Sequence, residues 1–354
     1  MKKTSKIMSL VLAGAMVLSM TACAGNTAET TSAAAKSQET AADTASKAEE
    51  TTGAEASESE TAAKAEGTTY KIGVLQLVQH TALDAANDGF IAALDDAGIA
   101  YEVDQQNASG DQSACQTVAS KFANEKKDLI LAIATSAAQA MVGAVEDTPV
   151  LITAVTDPAE SGLVDTNEKP GANVTGTSDL TPVKEQIDLL KQLVPEAKTV
   201  GVLYCSAESN SKIQADMAKE AIAAAGMESK EYTVSSSNEI QTVVQSMVGA
   251  VDAVYAPTDN VIAAGMATVG MVAGDNNLPV ICGEAGMVQN GGLATYGIDY
   301  YQLGYMTGQQ AVKILTEGAS PADMPIEYLP AEKCELTVNE ETAQTLGIDV
   351  SGLK

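Results

Sequence analysis

Two hydroxyl residues, Thr135 and Ser136, close the apolar run Asp128-Leu-Ile-Leu-Ala-Ile-Ala134 and open a run of strong helix formers. That spacing predicts a buried strand handing over to a helix, with one of the two hydroxyls as N-cap. First-turn amides of a helix have no intrahelical partner and face whatever lies above the strand end, which suits a carboxylate. All 20 basic residues are lysines, so no guanidinium fork is available to grip a small acid. Carboxylates and amides follow other apparent strands: Glu208 and Asn210, then Asp259, then Glu284. Gln76 and His80 follow the first strand and Thr156 a later one. Hydroxyls thus collect on one side and acids on the other, the pattern expected around a zwitterion. Its ammonium would go to Asp259, with Glu208 and Glu284 as further candidates. Each residue taken singly also reads as a helix cap, so the set is more specific than its members.

Catalytic chemistry finds little support. His80 is the only histidine, so any Ser-His-Asp or Cys-His arrangement would have to use it, and neither a nucleophile elbow nor a P-loop is present. Asp157 has no second carboxylate at metal-ligand spacing, and Cys115, Cys205, Cys282 and Cys334 form no paired motif. The expectation is a protein that is not an enzyme and carries no cofactor and no metal. A net charge of −27, no Trp and two Phe argue against a nucleic-acid partner.

Five segments are expected to position these residues. Residues 1–22 have the basic start, short apolar stretch and small-residue end of a secretory signal. Met20-Thr-Ala-Cys23 resembles a lipobox, which would place two acyl chains on Cys23 and hold the protein on the outer face of the cell membrane. Residues 23–68 are Ala, Thr, Ser and Glu without a core, expected to be a tether reaching roughly 35–40 Å. From residue 69 strands and helices alternate in two similar blocks, 69–179 and 180–299, with 300–354 supplying a return helix and a last crossover. The fold class expected is α/β: two Rossmann-like lobes with parallel sheets. Thr175-Gly-Thr-Ser-Asp179 resembles Thr295-Tyr-Gly-Ile-Asp299, so Asp179, Gly297 and Asp299 are candidate hinges between the lobes.

Several stretches carry a family resemblance. Gln76-x-x-x-His80-x-x-Leu83-Asp84, Ala134-Thr-Ser-Ala-Ala-Gln-Ala140, Ala154-Val-Thr-Asp-Pro158, Gly201-Val-Leu-Tyr-Cys-Ser-Ala-Glu-Ser-Asn210 and Pro257-Thr-Asp-Asn260 are similar to the tryptophan/tyrosine-type ABC transporter substrate-binding lipoproteins. Their fold is the type I periplasmic-binding-protein architecture, like that of the Leu/Ile/Val-binding proteins. The resemblance implies a monomer that binds an aromatic amino acid between two lobes and delivers it to ABC permease subunits. A ligand-binding sensor without transport, or another carboxylate ligand, is the alternative. It suggests contacts from Thr135, Ser136, Ala137, Thr156, Glu208, Asn210, Asp259 and Glu284, with Gln76 and His80 lining the cleft. Tyr204, Tyr255 and Tyr296 are the aromatic candidates near strand ends.

Overall fold

The computed structural model describes residues 68–353; the signal segment, Cys23 and nearly all of the expected tether lie outside them. Five strands, β1 (Tyr70–Gln76), β2 (Tyr101–Asn107), β3 (Leu129–Ile133), β4 (Val150–Val155) and β5 (Val174–Ser178), begin the first sheet. They alternate with α1 (Thr81–Asp96), α2 (Gln112–Glu125) and α3 (Thr135–Val142). Helix α4 (Val183–Leu193) leads into a second sheet of β6 (Thr199–Cys205), β7 (Glu228–Val234), β8 (Ala253–Ala256), β9 (Val280–Cys282) and β10 (Ala294–Gly297). Its helices are α5 (Ser209–Ala224), α6 (Ile240–Met247), α7 (Asn260–Ala264), α8 (Met266–Asp275) and α9 (Ala285–Gln289). The chain ends with α10 (Tyr300–Glu317), β11 (Glu327–Tyr328), β12 (Glu335–Val338) and α11 (Glu340–Leu346).

The two sheets share one plan, β11-β5-β4-β3-β1-β2 and β12-β10-β9-β8-β6-β7. Every residue of β3 and β4 is buried, as central parallel strands with helices on both faces must be. Edge strands β2 and β7 alternate in exposure instead. The chain passes from one sheet to the other after β5, after β10 and between β11 and β12. Helix α10 follows the second sheet yet belongs to the first core, where Leu303 and Ala311 join Phe90 of α1. Its backbone lies directly on α1: a Cβ on Gly304 would fall 1.8 Å from the Ala86 carbonyl oxygen.

Local departures from the expected pattern have identifiable causes. Strand β2 begins only at Tyr101 because Gly98, at φ 66, turns the chain and the Ile99 amide bonds back to the Leu94 carbonyl at 3.2 Å, closing α1. The helical stretch from Asn260 to Asp275 is broken at Gly265 into α7 and α8. Pro182 occupies the N-cap of α4, just before its first helical residue Val183, and makes no side-chain capping bond. Strand β12 runs antiparallel to β10, so the second sheet is not wholly parallel.

Candidate ligand-binding site

Strand order reverses beside the first strand of each sheet, at β2-β1-β3 and β7-β6-β8. Such reversals open a crevice beyond the carboxyl ends of the strands. The two crevices meet. His80, at the N-cap of α1, places Nε2 3.2 Å from Asn260 Oδ1 at the start of α7. Asn260 Nδ2 donates to Glu208 at 2.7 Å, which leaves Oδ1 as the acceptor and puts the shared proton on His80 Nε2. Gln214 of α5 donates to Thr156 Oγ1 at 3.0 Å, a second bond between the lobes.

Helix α3 begins differently from the sequence expectation. Neither Thr135 nor Ser136 is the cap: Ala134 is, at φ 81 and ψ 154, and Thr135 is the first helical residue. This backbone region is nearly exclusive to glycine and costs about 1–3 kcal/mol for another residue. No capping side chain relieves it. Among the described residues the amides of Thr135, Ser136 and Ala137 meet no acceptor, and the buried Thr135 hydroxyl has no partner. Helices α2, α7, α9, α10 and α11, by contrast, each carry an Asp, Glu or Asn cap of their own. Local strain beside unpartnered buried donors gives the α3 terminus amides to offer a ligand oxygen.

Between the lobes lies a small void of about 10 Å³, room for about one water-sized group. His80, Asp179, Asn210, Asp259, Glu284 and Tyr300 contribute to its lining. Asp259 Oδ2 accepts from the Cys205 amide at 2.6 Å and Oδ1 from the Ile262 amide at 2.8 Å. Glu284 caps α9 through the amides of Gly286 and Met287. Glu208 stands behind, accepting from Asn210, from Asn260 and from the Val261 amide. Asp179 accepts from the Tyr300 hydroxyl at 2.8 Å with Oδ2 only.

None of these acids meets a lysine; the ion pairs among the described residues involve other carboxylates. Burial without a counter-ion pushes Glu284 up to about 7, against the pull of its amides, and Asp179 to about 6. Glu208 is raised to about 7 by burial and then by the neighbouring Asp259 charge. Burial also raises Asp259. The same burial lowers His80 and favours its neutral ring. A buried, acid-walled space of this kind gains by admitting a cation.

The expected residues are thus partly assembled. His80, Asn210, Asp259 and Glu284 line the void, while Ser136 and Glu208 line an adjoining groove between the lobes with Leu77, Val78, Val261 and Ala264. Thr156 touches Gln214. Thr135 and Ala137 are buried behind Ser136 and line neither space. Gln76 turns to Asp84 at 2.6 Å and to the Val78 carbonyl at 2.9 Å, holding the loop that carries His80. Tyr204 and Tyr255 are tied to Glu231 and Gln186 and line neither space, nor does Tyr296; the aromatic residue at the void is Tyr300. Asp179, expected only as a hinge, lies there too. Gln214 had a signal in its spacing, four residues after Asn210 and so on the same face of α5.

A family model described as ABC transporter substrate binding protein matches residues 71–352. A protein named tyrosine-binding protein from Clostridioides difficile (strain R20291) is 41% identical over 351 residues, covering 98% of this chain and 93% of that one. The crystal structure of an ABC domain in complex with L-Trp from Streptococcus pneumonia shares 39% identity and a TM-score of 0.78, covering 80% of this chain and 97% of that one. A ligand-free, open substrate binding protein with adhesive properties from Clostridium difficile is 46% identical but has a TM-score of 0.63, over 81% of this chain and 97% of that one. The overall arrangement here is therefore nearer to the complexed protein than to the open one, although its identity to the open one is higher. The bonds from His80 to Asn260 and from Gln214 to Thr156 agree with that. The two-lobed α/β architecture is the one expected.

Proposed function

Because the chain belongs to the ABC transporter substrate-binding protein family, we propose that its cleft takes up an aromatic amino acid as a zwitterion for transfer to a membrane permease. Such a protein binds and delivers; it is not an enzyme. The observation that carries the choice of ligand is the pairing of an uncapped, buried helix terminus at α3 with a lysine-free acidic void between the lobes. The carboxylate rests on the amides of Thr135, Ser136 and Ala137 and on the Thr135 hydroxyl. The ammonium enters the void and supplies the positive charge that Asp179, Glu208, Asp259 and Glu284 lack. The ring lies along Leu77, Val78, Val261 and Ala264 of the groove. Closure of the lobes removes water, which strengthens both charged contacts.

Hinging at the crossovers, near Asp179, Gly297 and Asp299, opens and closes the lobes. In this reading residues 1–22 direct export, Cys23 carries the lipid, the tether of 23–68 gives the lobes reach, and the protein works as a monomer. A thermal-shift panel of amino acids tests the ligand class. L-tyrosine or L-tryptophan at about 100 times Kd should stabilise the fold by about 2.7 kcal/mol. No upward shift with any amino acid would refute the ligand class.

A further inference from the structure

The acids that line the void are not equally free to take an ammonium. Asp259 already accepts from two amides, Ile262 in the first turn of α7 and Cys205 at the end of β6, Glu284 caps α9 through two, and Glu208 does not line the void. Three other lining residues present buried polar atoms that have no partner: Asp179 Oδ1, Asn210 Oδ1 and His80 Nδ1. Asp179 is 5% exposed and Asn210 3%, so these side chains are fixed rather than solvated. All three atoms are acceptors. Asn210 Nδ2 donates to Glu208, to Ser211 and to the Thr258 carbonyl, which leaves Oδ1 facing away from donors. His80 donates through Nε2 to Asn260, so Nδ1 of the neutral ring bears a lone pair.

We propose that the ligand ammonium binds at Asp179, Asn210 and His80, one N–H to each, with Asp179 as its counter-ion. An unpaired buried acceptor is costly, and three of them around one small void match a donor with three hydrogens. This inference rests on the zwitterion reading above and deepens it. It also gives the hinge a direct view of the ligand. Asp179 lies in the first crossover and is bonded through Oδ2 to Tyr300, which opens α10 after the second. His80 belongs to the first lobe and Asn210 to the second, so an ammonium held by both ties the lobes together.

The test compares each amino acid with its analogue lacking only the amine: L-tryptophan with indole-propionate, and L-tyrosine with des-amino-tyrosine. Asp179→Asn should weaken amino-acid binding roughly 30- to 1,000-fold, as truncating a buried charged partner does. The analogues should bind the variant as they bind wild type, within about threefold. Tyr300→Phe breaks the hinge bond but keeps the carboxylate, and should retain the preference for the amine-bearing ligand. Asn210→Ala, on the facing lobe, is an independent variant that does not disturb Asp179. It should cost roughly 5- to 20-fold for the amino acid alone. Equal losses for amino acid and analogue in Asp179→Asn, or in Asn210→Ala should Asp179→Asn not fold, would overturn the proposal. So would loss of the preference in Tyr300→Phe. Wild type that binds no amino acid at all would instead refute the zwitterion reading, and this inference with it.

Discussion

Replacing Asp259 by alanine should remove more stability than ligand affinity. The carboxylate joins the end of β6 to the start of α7 through the amides of Cys205 at 2.6 Å and Ile262 at 2.8 Å. Alanine leaves both buried donors unpartnered, at about 1–3 kcal/mol each. Part of that is offset because the buried charge, whose desolvation raises the Asp259 pKa, is removed with it. A net loss of about 2–4 kcal/mol follows, or roughly 5–15 °C in Tm for a domain of this size. The pH dependence has a definite sign. A carboxyl raised in the folded state adds stability that is present below its unfolded pKa and fades as pH rises through its folded one. Wild type has that contribution and the variant does not. The gap between them should therefore be wider at acid pH and narrow as pH rises. Scanning calorimetry of the ligand-free proteins measures the gap, and titration calorimetry with L-tyrosine measures affinity. A variant melting within about 2 °C of wild type but binding more than about 30-fold more weakly would refute the capping argument.

The ligand-free protein as a whole should lose stability between about pH 5 and pH 8, because Asp179, raised to about 6, and Glu208 and Glu284, raised to about 7, keep protons in the fold that they release on unfolding. His80, lowered by burial, opposes this below its ordinary pKa, one group against three; a melting temperature that climbs across the window would contradict the assignment. Gln214→Ala removes the bond to Thr156 at 3.0 Å and should favour the open lobes, weakening ligand binding roughly 5- to 20-fold. Small-angle scattering should show a larger radius of gyration without ligand, and an unchanged profile would count against Gln214 as a closing contact.

Much of this fold was legible because its strongest signals are local. The unbroken apolar run of β3 reads as a buried parallel strand, and it is one. Legibility failed where backbone conformation outweighs residue preference. Two hydroxyls in a row promised a cap at α3, yet Ala134 takes a conformation few residues adopt and leaves Thr135 without a partner. In the site, chain position revealed the acids at strand ends but not how their oxygens are engaged. Asp259 and Glu284 look like ligand-facing acids in the sequence and turn out to cap their own helices. Asp179 and Tyr300 meet only because two crossovers pass side by side, a distance of 121 residues along the chain that no local pattern encodes. Gln186 illustrates the same limit: it binds the Tyr255 hydroxyl and the Tyr296 carbonyl from three different elements.

The packing of α10 on α1 also constrains how the polypeptide reaches its final form. Gly89 of α1 lies against the Tyr301 backbone and Gly304 of α10 against that of Ala86, but α1 belongs to the start of the described chain and α10 to its last fifth. A chain synthesised from its N-terminus therefore has every strand of the second sheet except β12 in hand before the first can be covered. The half that begins earliest is finished late, and a product truncated before residue 300 would carry a bare face along α1, an obvious target for proteolysis.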